Sequence, residues 1–140
     1  MQRCIRRLRS QKGTETIEFV ILFPMMLFLV FGSISYMLAL YSKVIVVDAA
    51  REGARAQAIG AAAAGDKVKQ VLKESGLNDE AAEVSVQTNE ENGIEYITVH
   101  VVYNQPSLFP GLPLLIGNNS WSEYFKLRSS AVFKKEKEIG

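Results

Sequence analysis

The chain has only one cysteine, Cys4, and one histidine, His100, among its 140 residues. A single cysteine excludes an intramolecular disulfide and a CxxC metal site. The sequence contains no HExxH, GxSxG, P-loop or GxGxxG motif, and a Ser-His-Asp set would have to use His100. That histidine lies in an alternating segment beside Thr98, where a structural or solvent-facing role is the simpler interpretation. We therefore expect no enzymatic activity, no bound metal and no cofactor.

Acidic residues are absent before Glu15, whereas five basic ones precede it: Arg3, Arg6, Arg7, Arg9 and Lys12. The rest of the chain carries all 15 acids and 11 of the 16 basic residues. A mildly acidic body lacks the basic patch that nucleic-acid binding requires. We therefore expect neither nucleic acid nor a small-molecule substrate as a partner, and interpret residues 1–13 as a basic leader.

Charge is also missing from a long apolar stretch, Phe19–Ser42. At about 1.5 Å per helical residue it is long enough to cross a hydrocarbon core of about 30 Å. The basic leader predicts a cytoplasmic N-terminus and an extracytoplasmic C-terminal part. A cleaved secretory signal is the alternative, but the stretch exceeds a usual signal core and lacks a clean small-x-small site at its end.

Two residues stand out near the start of this stretch. Pro24 lacks a backbone donor and clashes with the preceding turn, so we expect a helix bend there, although membrane helices tolerate proline. Glu18 lies at the mouth of the stretch, where an ionised carboxylate is costly without a partner. It either reaches water at headgroup level or meets a cation inside the bilayer.

The segment Lys12–Phe19 resembles the processing site of type IV pilin-like precursors. In that class a prepilin peptidase cuts after a glycine, and a glutamate stands fifth in the mature chain. The resemblance implies a cut between Gly13 and Thr14, which places Glu18 fifth and Phe19 sixth. It further implies that Glu18 pairs with the new Thr14 amine of a neighbouring subunit during assembly.

The pattern of Glu18-Phe19, Pro24 and the later Ala49–Ala56 segment resembles the TadE-like family. Members of that family are pseudopilins of the tight-adherence (Flp) pilus system. Thr14 departs from the smaller or apolar residue expected after the cut. The resemblance implies a minor pilin-like subunit in the cytoplasmic membrane. Such a subunit would take part in the assembly of a tight-adherence pilus or a related secretion machinery. Implied partners are prepilin peptidase, other pilin subunits and the assembly platform.

Small residues dominate the segment after the apolar stretch. Ala50, Gly53 and Ala54 include a pair four residues apart, a spacing that permits close helix–helix approach. A solvated helix that uses alanine for its helix propensity explains the same composition. Both interpretations predict that residues 14–60 form one long helix, the membrane span and its continuation.

Residues 61–140 are predicted to fold as a small extracytoplasmic domain. A short amphipathic helix over Asp66–Ser75 precedes three alternating segments, which predict antiparallel strands: Glu83–Thr88, Ile94–Tyr103 and Phe125–Phe133. Asn92-Gly93 is typical of a hairpin turn. The predicted fold class is α+β, with a long N-terminal transmembrane helix continuing into this domain.

Between the last two strands lies an apolar segment, residues 106–117, followed by Trp121. It either folds over the sheet or awaits a partner. The alternative function for the whole chain is an unprocessed single-pass membrane protein that presents a small binding or sensing domain.

Overall fold

The computed structural model describes residues 2–108, 111 and 123–135, with side chains from Glu15 onward. Within these residues the chain forms two α-helices, a single 3-10 turn at Asp79–Ala81 and three strands: α1 (Gln2–Ala58), α2 (Ala64–Glu74), β1 (Ala82–Glu91), β2 (Ile94–Pro106) and β3 (Tyr124–Lys134). The predicted α+β class is confirmed, as is the long N-terminal helix. Most of the apolar segment 106–117, and Trp121, lie outside the described residues.

The first helix, α1, has two parts with different surroundings. From Glu15 to Ile34 its side chains are exposed except for the half-buried Gly32. From Ser35 onward a stripe with helical spacing is buried: Ser35, Ala39, Ser42, Val46, Ala50 and Ala54. Only the second part of α1 therefore packs against the rest of its own chain.

The second helix, α2, is amphipathic and buries Ala64, Val68 and Leu72. It begins two residues earlier than predicted because the Ala64 amide donates to Gln57 Oε1 of α1 at 2.7 Å. Gly76, with a φ of 75°, caps its C-terminus: the Gly76 amide donates to the Lys73 carbonyl, and the Leu77 amide donates to the Leu72 carbonyl. These two bonds satisfy carbonyls that the helix itself leaves unpaired.

The three strands form an antiparallel sheet in the order β1-β2-β3. Asn92 and Gly93 connect β1 to β2 with φ values of 54° and 75°, a pair of left-handed residues that matches the twist of a two-residue hairpin. Glu91 pairs directly with Ile94. The strand predicted to end at Thr88 therefore continues to Glu91, because the tight hairpin keeps Asn89–Glu91 in register with β2.

The core lies between the helices and the inner face of the sheet. Middle strand β2 buries Ile97, Val99, Val101 and Tyr103, as its alternation predicts. α1 packs on β2 and β3, and α2 packs on β1. Phe133, two residues after the buried Ala131 of β3, is 37% exposed. The middle strand has a neighbouring strand on each side, and its inward residues are buried more completely than those of the edge strands.

Candidate functional site: the N-terminal helix

The exposed part of α1 is the most unusual surface of this molecule. Large apolar side chains cover it almost continuously from Ile17 to Val30, and they include three phenylalanines and two methionines. Soluble monomers rarely expose apolar patches of this size. α1 is long and apolar enough to cross a membrane, and none of its most apolar stretch is buried. A core helix of a soluble domain would be covered there, so this part of α1 requires lipid or other helices.

The two residues predicted for assembly, Glu18 and Phe19, lie on this exposed part of α1. The ring of Phe19 stacks on that of Phe23, one turn further along, with centroids 5.6 Å apart and an interplanar angle of 28°. Glu18 is exposed and follows Glu15 at i,i+3 spacing. The carboxylate of Glu18 is therefore available to a group from outside the chain.

The predicted processing residues, Gly13 and Thr14, lie within the backbone of α1. The helix continues through Pro24 without interruption. Since residues from Glu15 to Ile34 are exposed all round, the missing Pro24 donor leaves the Val20 carbonyl on a surface of α1 that a neighbouring helix can approach.

The three small residues predicted for helix packing lie together on the buried side of α1. Ala50 and Ala54 are fully buried. Gly53 faces α2 so closely that a β-carbon there would lie 2.6 Å from Val68 Cγ2 and 3.0 Å from the Ala64 carbonyl oxygen. The close helix approach in this structure is therefore between α1 and α2 of the same chain.

Two polar contacts that the sequence did not reveal attach the sheet to α1. Ser42 Oγ donates to Gln105 Oε1 at 2.7 Å, and Lys43 Nζ donates to the Arg128 carbonyl oxygen. Lys43 is the first charged residue after the apolar stretch, and its amine contacts β3. Each partner lies more than 60 residues away in sequence, so no local pattern could have identified these pairs.

Within the part of the chain that the structure describes, the domain after α1 holds few side chains arranged for catalysis or metal binding. His100 is half-buried in β2 and pairs across the sheet with Ser85 and Ser130. No group of three or more His, Cys, Asp or Glu side chains within residues 15–108, 111 and 123–135 is arranged to hold a metal ion.

Fold and helix together define an α+β chain with a candidate membrane span: an exposed apolar N-terminal helix whose C-terminal part joins a small domain. A family model described as TadE-like protein matches residues 13–55. The resemblance inferred from Gly13, Glu18 and the Ala49–Ala56 segment is thereby confirmed over that range. The family is associated with the tight-adherence pilus and is structural rather than enzymatic. No curated protein and no solved structure matches this chain.

Proposed function

We propose that this chain is a minor pilin-like subunit that prepilin peptidase cuts between Gly13 and Thr14. Its mature helix would then join a tight-adherence pilus or a related secretion machinery. The observation that carries the proposal is the exposed apolar part of α1, which begins within a few residues of Gly13 and falls inside the region matched by the family model. The five basic residues of the leader favour a cytoplasmic N-terminus and place the cut at that membrane face.

The chemistry of the Gly13–Thr14 bond supports cleavage at this point of α1. A protease needs close access to the peptide backbone, and glycine has no side chain to obstruct it. Gly13, Thr14 and Thr16 are also poor helix formers, costing together about 2 kcal/mol relative to alanine. This turn of α1 is therefore easier to open than the leucine- and methionine-rich turns that follow.

Glu18 is the residue that would connect mature subunits. Thr14 and Glu18 are four residues apart, about 6 Å along a helix. A neighbour shifted by that distance brings its Thr14 ammonium beside Glu18. Glu18 lies directly beside the hydrocarbon core, where an unpaired carboxylate is costly, so pairing with this ammonium would favour one axial register of the two helices over others.

Replacement of Glu18 tests this assembly role. The Glu18→Ala variant should still lose its leader, but its content in sheared pili or in the isolated assembly complex should fall about tenfold or more, the effect of losing about 1.4 kcal/mol. Quantitative immunoblotting of the membrane and pilus fractions provides the measurement. Glu15→Ala removes a neighbouring exposed carboxylate and serves as the matched control. Normal incorporation of Glu18→Ala would overturn the proposed role of Glu18.

A further inference from the structure

One end of the β2–β3 ladder is fixed at the outer end of the apolar stretch. Ser42, the last residue of that stretch, bonds to Gln105. Gln105 pairs with Phe125, and the next pair, Pro106 with Tyr124, ends the ladder. Beyond it, the Ser107 amide donates to the Glu123 carbonyl at 2.8 Å, so the two segments stay paired one residue past the end of the ladder. We call Pro106–Leu108 and Glu123–Tyr124 the base of the domain.

One side of α1 stays buried on the N-terminal side of Ser42. Ser35 and Ala39 are 3% and 6% exposed, whereas Ile34, Tyr36 and Leu38 between and beside them remain exposed. Ser35 precedes Ser42 by seven residues, about 10 Å along the helix. The chain therefore covers one side of α1 for about two turns below the Ser42–Gln105 contact.

The length of a bilayer places this covered side at membrane depth. A hydrocarbon core of about 30 Å takes about 20 helical residues. Counted from Phe19, directly after the charged Glu18, the core ends close to Leu38 and Ala39. Ser42 then lies in the outer headgroup layer, and Ser35 lies within the hydrocarbon boundary. Because Gln105 of β2 bonds to Ser42, this end of the sheet lies at the level of the outer headgroup layer.

The base carries side chains suited to that layer. Leu108 is 54% exposed and Tyr124 is 48% exposed. Tyr36 and Tyr41 are exposed on α1 at neighbouring levels. Tyrosine favours the membrane–water interface because its ring is apolar and its hydroxyl remains hydrated.

We propose that the base of the domain is a membrane-contact surface that seats the outer domain in the headgroup–acyl boundary of the outer leaflet. The inference rests on the proposed membrane span of α1. The bonds of Ser42 to Gln105 and of Lys43 to Arg128 attach the domain to α1. Lipid contact at the base adds a second constraint, and together they fix the orientation of the domain relative to the helix. The subunit is thus held in one orientation while it waits in the membrane.

Single-tryptophan reporters test this seating in the full-length chain reconstituted into phosphatidylcholine vesicles with brominated acyl chains. Trp121→Phe supplies the background, and Tyr124→Trp or Leu108→Trp places the reporter at the base. Leu29→Trp reports on the span. Thr88→Trp reports on the opposite end of the sheet, because its partner Ile97 is nine residues, about 30 Å, from Pro106.

We expect both base reporters to lose emission in brominated vesicles, Leu29→Trp to lose emission as well, and Thr88→Trp to keep it. Base reporters no more quenched than Thr88→Trp, with Leu29→Trp quenched, would overturn the seating and leave the span intact. Absence of quenching at Leu29→Trp would overturn both. Use of two base reporters guards against one substitution that disturbs folding.

Discussion

Ser42 is a polar residue at which two regions of the molecule meet, the apolar stretch of α1 and the sheet. Its hydroxyl is almost completely buried and donates to Gln105 Oε1 at 2.7 Å. Glu18 stands at the other end of the same stretch, exposed and open to an external partner. One polar residue thus attaches the helix to its own domain, whereas the other is proposed to attach it to a neighbouring subunit.

Replacement of Ser42 measures the strength of the internal attachment. Ser42→Ala removes the donor to the part-buried Gln105 oxygen, so we expect a loss of about 1 kcal/mol in the free energy of unfolding. Chemical denaturation in detergent micelles, followed by near-ultraviolet circular dichroism, provides the measurement.

The control for this substitution is Ser33→Ala. Ser33 Oγ bonds only to the Leu29 carbonyl within α1, at 2.8 Å and on the exposed side. Its removal should change the unfolding free energy by no more than about 0.5 kcal/mol. Equal effects of the two substitutions would show that the Ser42–Gln105 bond does not hold the domain on the helix.

At the scale of the elements, the periodicity of apolar residues was the main signal that predicted helices and strands from the sequence. The alternation in β2 identified its buried face, and Asn92-Gly93 located the hairpin, because both signals are local. The C-terminal end of β1 was predicted three residues too early. Its last residues, Asn89–Glu91, have weak strand propensity and are held in the strand by pairing with β2. Likewise, the Gln57 contact that starts α2 joins two helices, and helical periodicity says nothing about such a contact.

The contact between α1 and α2 depends on the absence of a side chain at Gly53. Gly53→Ala would place a β-carbon 2.6 Å from Val68 Cγ2 and 3.0 Å from the Ala64 backbone oxygen. Overpacking typically costs about 1 to 3 kcal/mol, against a gain of about 1 kcal/mol in helix propensity. We expect a net loss of stability of about 1 kcal/mol or more, measured by the same denaturation experiment.

Gly65→Ala is the matched control, because Gly65 also lies in a helix but a β-carbon there meets no atom within 4 Å. It should be neutral or stabilising by up to about 1 kcal/mol. If Gly53→Ala proves as stable as Gly65→Ala, the close packing of α1 on α2 at this point is not required for the fold.

At the scale of the whole molecule, one helix serves both as the exposed apolar segment and as part of the domain core. Val46, Ala49, Ala50, Ala54 and Ala58 of α1 join α2 and the sheet in a single cluster. The expected boundary between residues 60 and 61 therefore divides the sequence but not the hydrophobic core.

Cleavage of the leader is the central claim, and intact-mass spectrometry of the membrane-bound protein tests it most directly. The chain should be isolated from cells that contain prepilin peptidase, together with Gly13→Leu as the variant in which the cut is blocked. We predict a mass that corresponds to loss of residues 1–13 for the natural chain and the full precursor for Gly13→Leu. Full-length natural chain would contradict processing and favour an unprocessed membrane anchor, and loss of most of the apolar stretch would indicate a secreted protein.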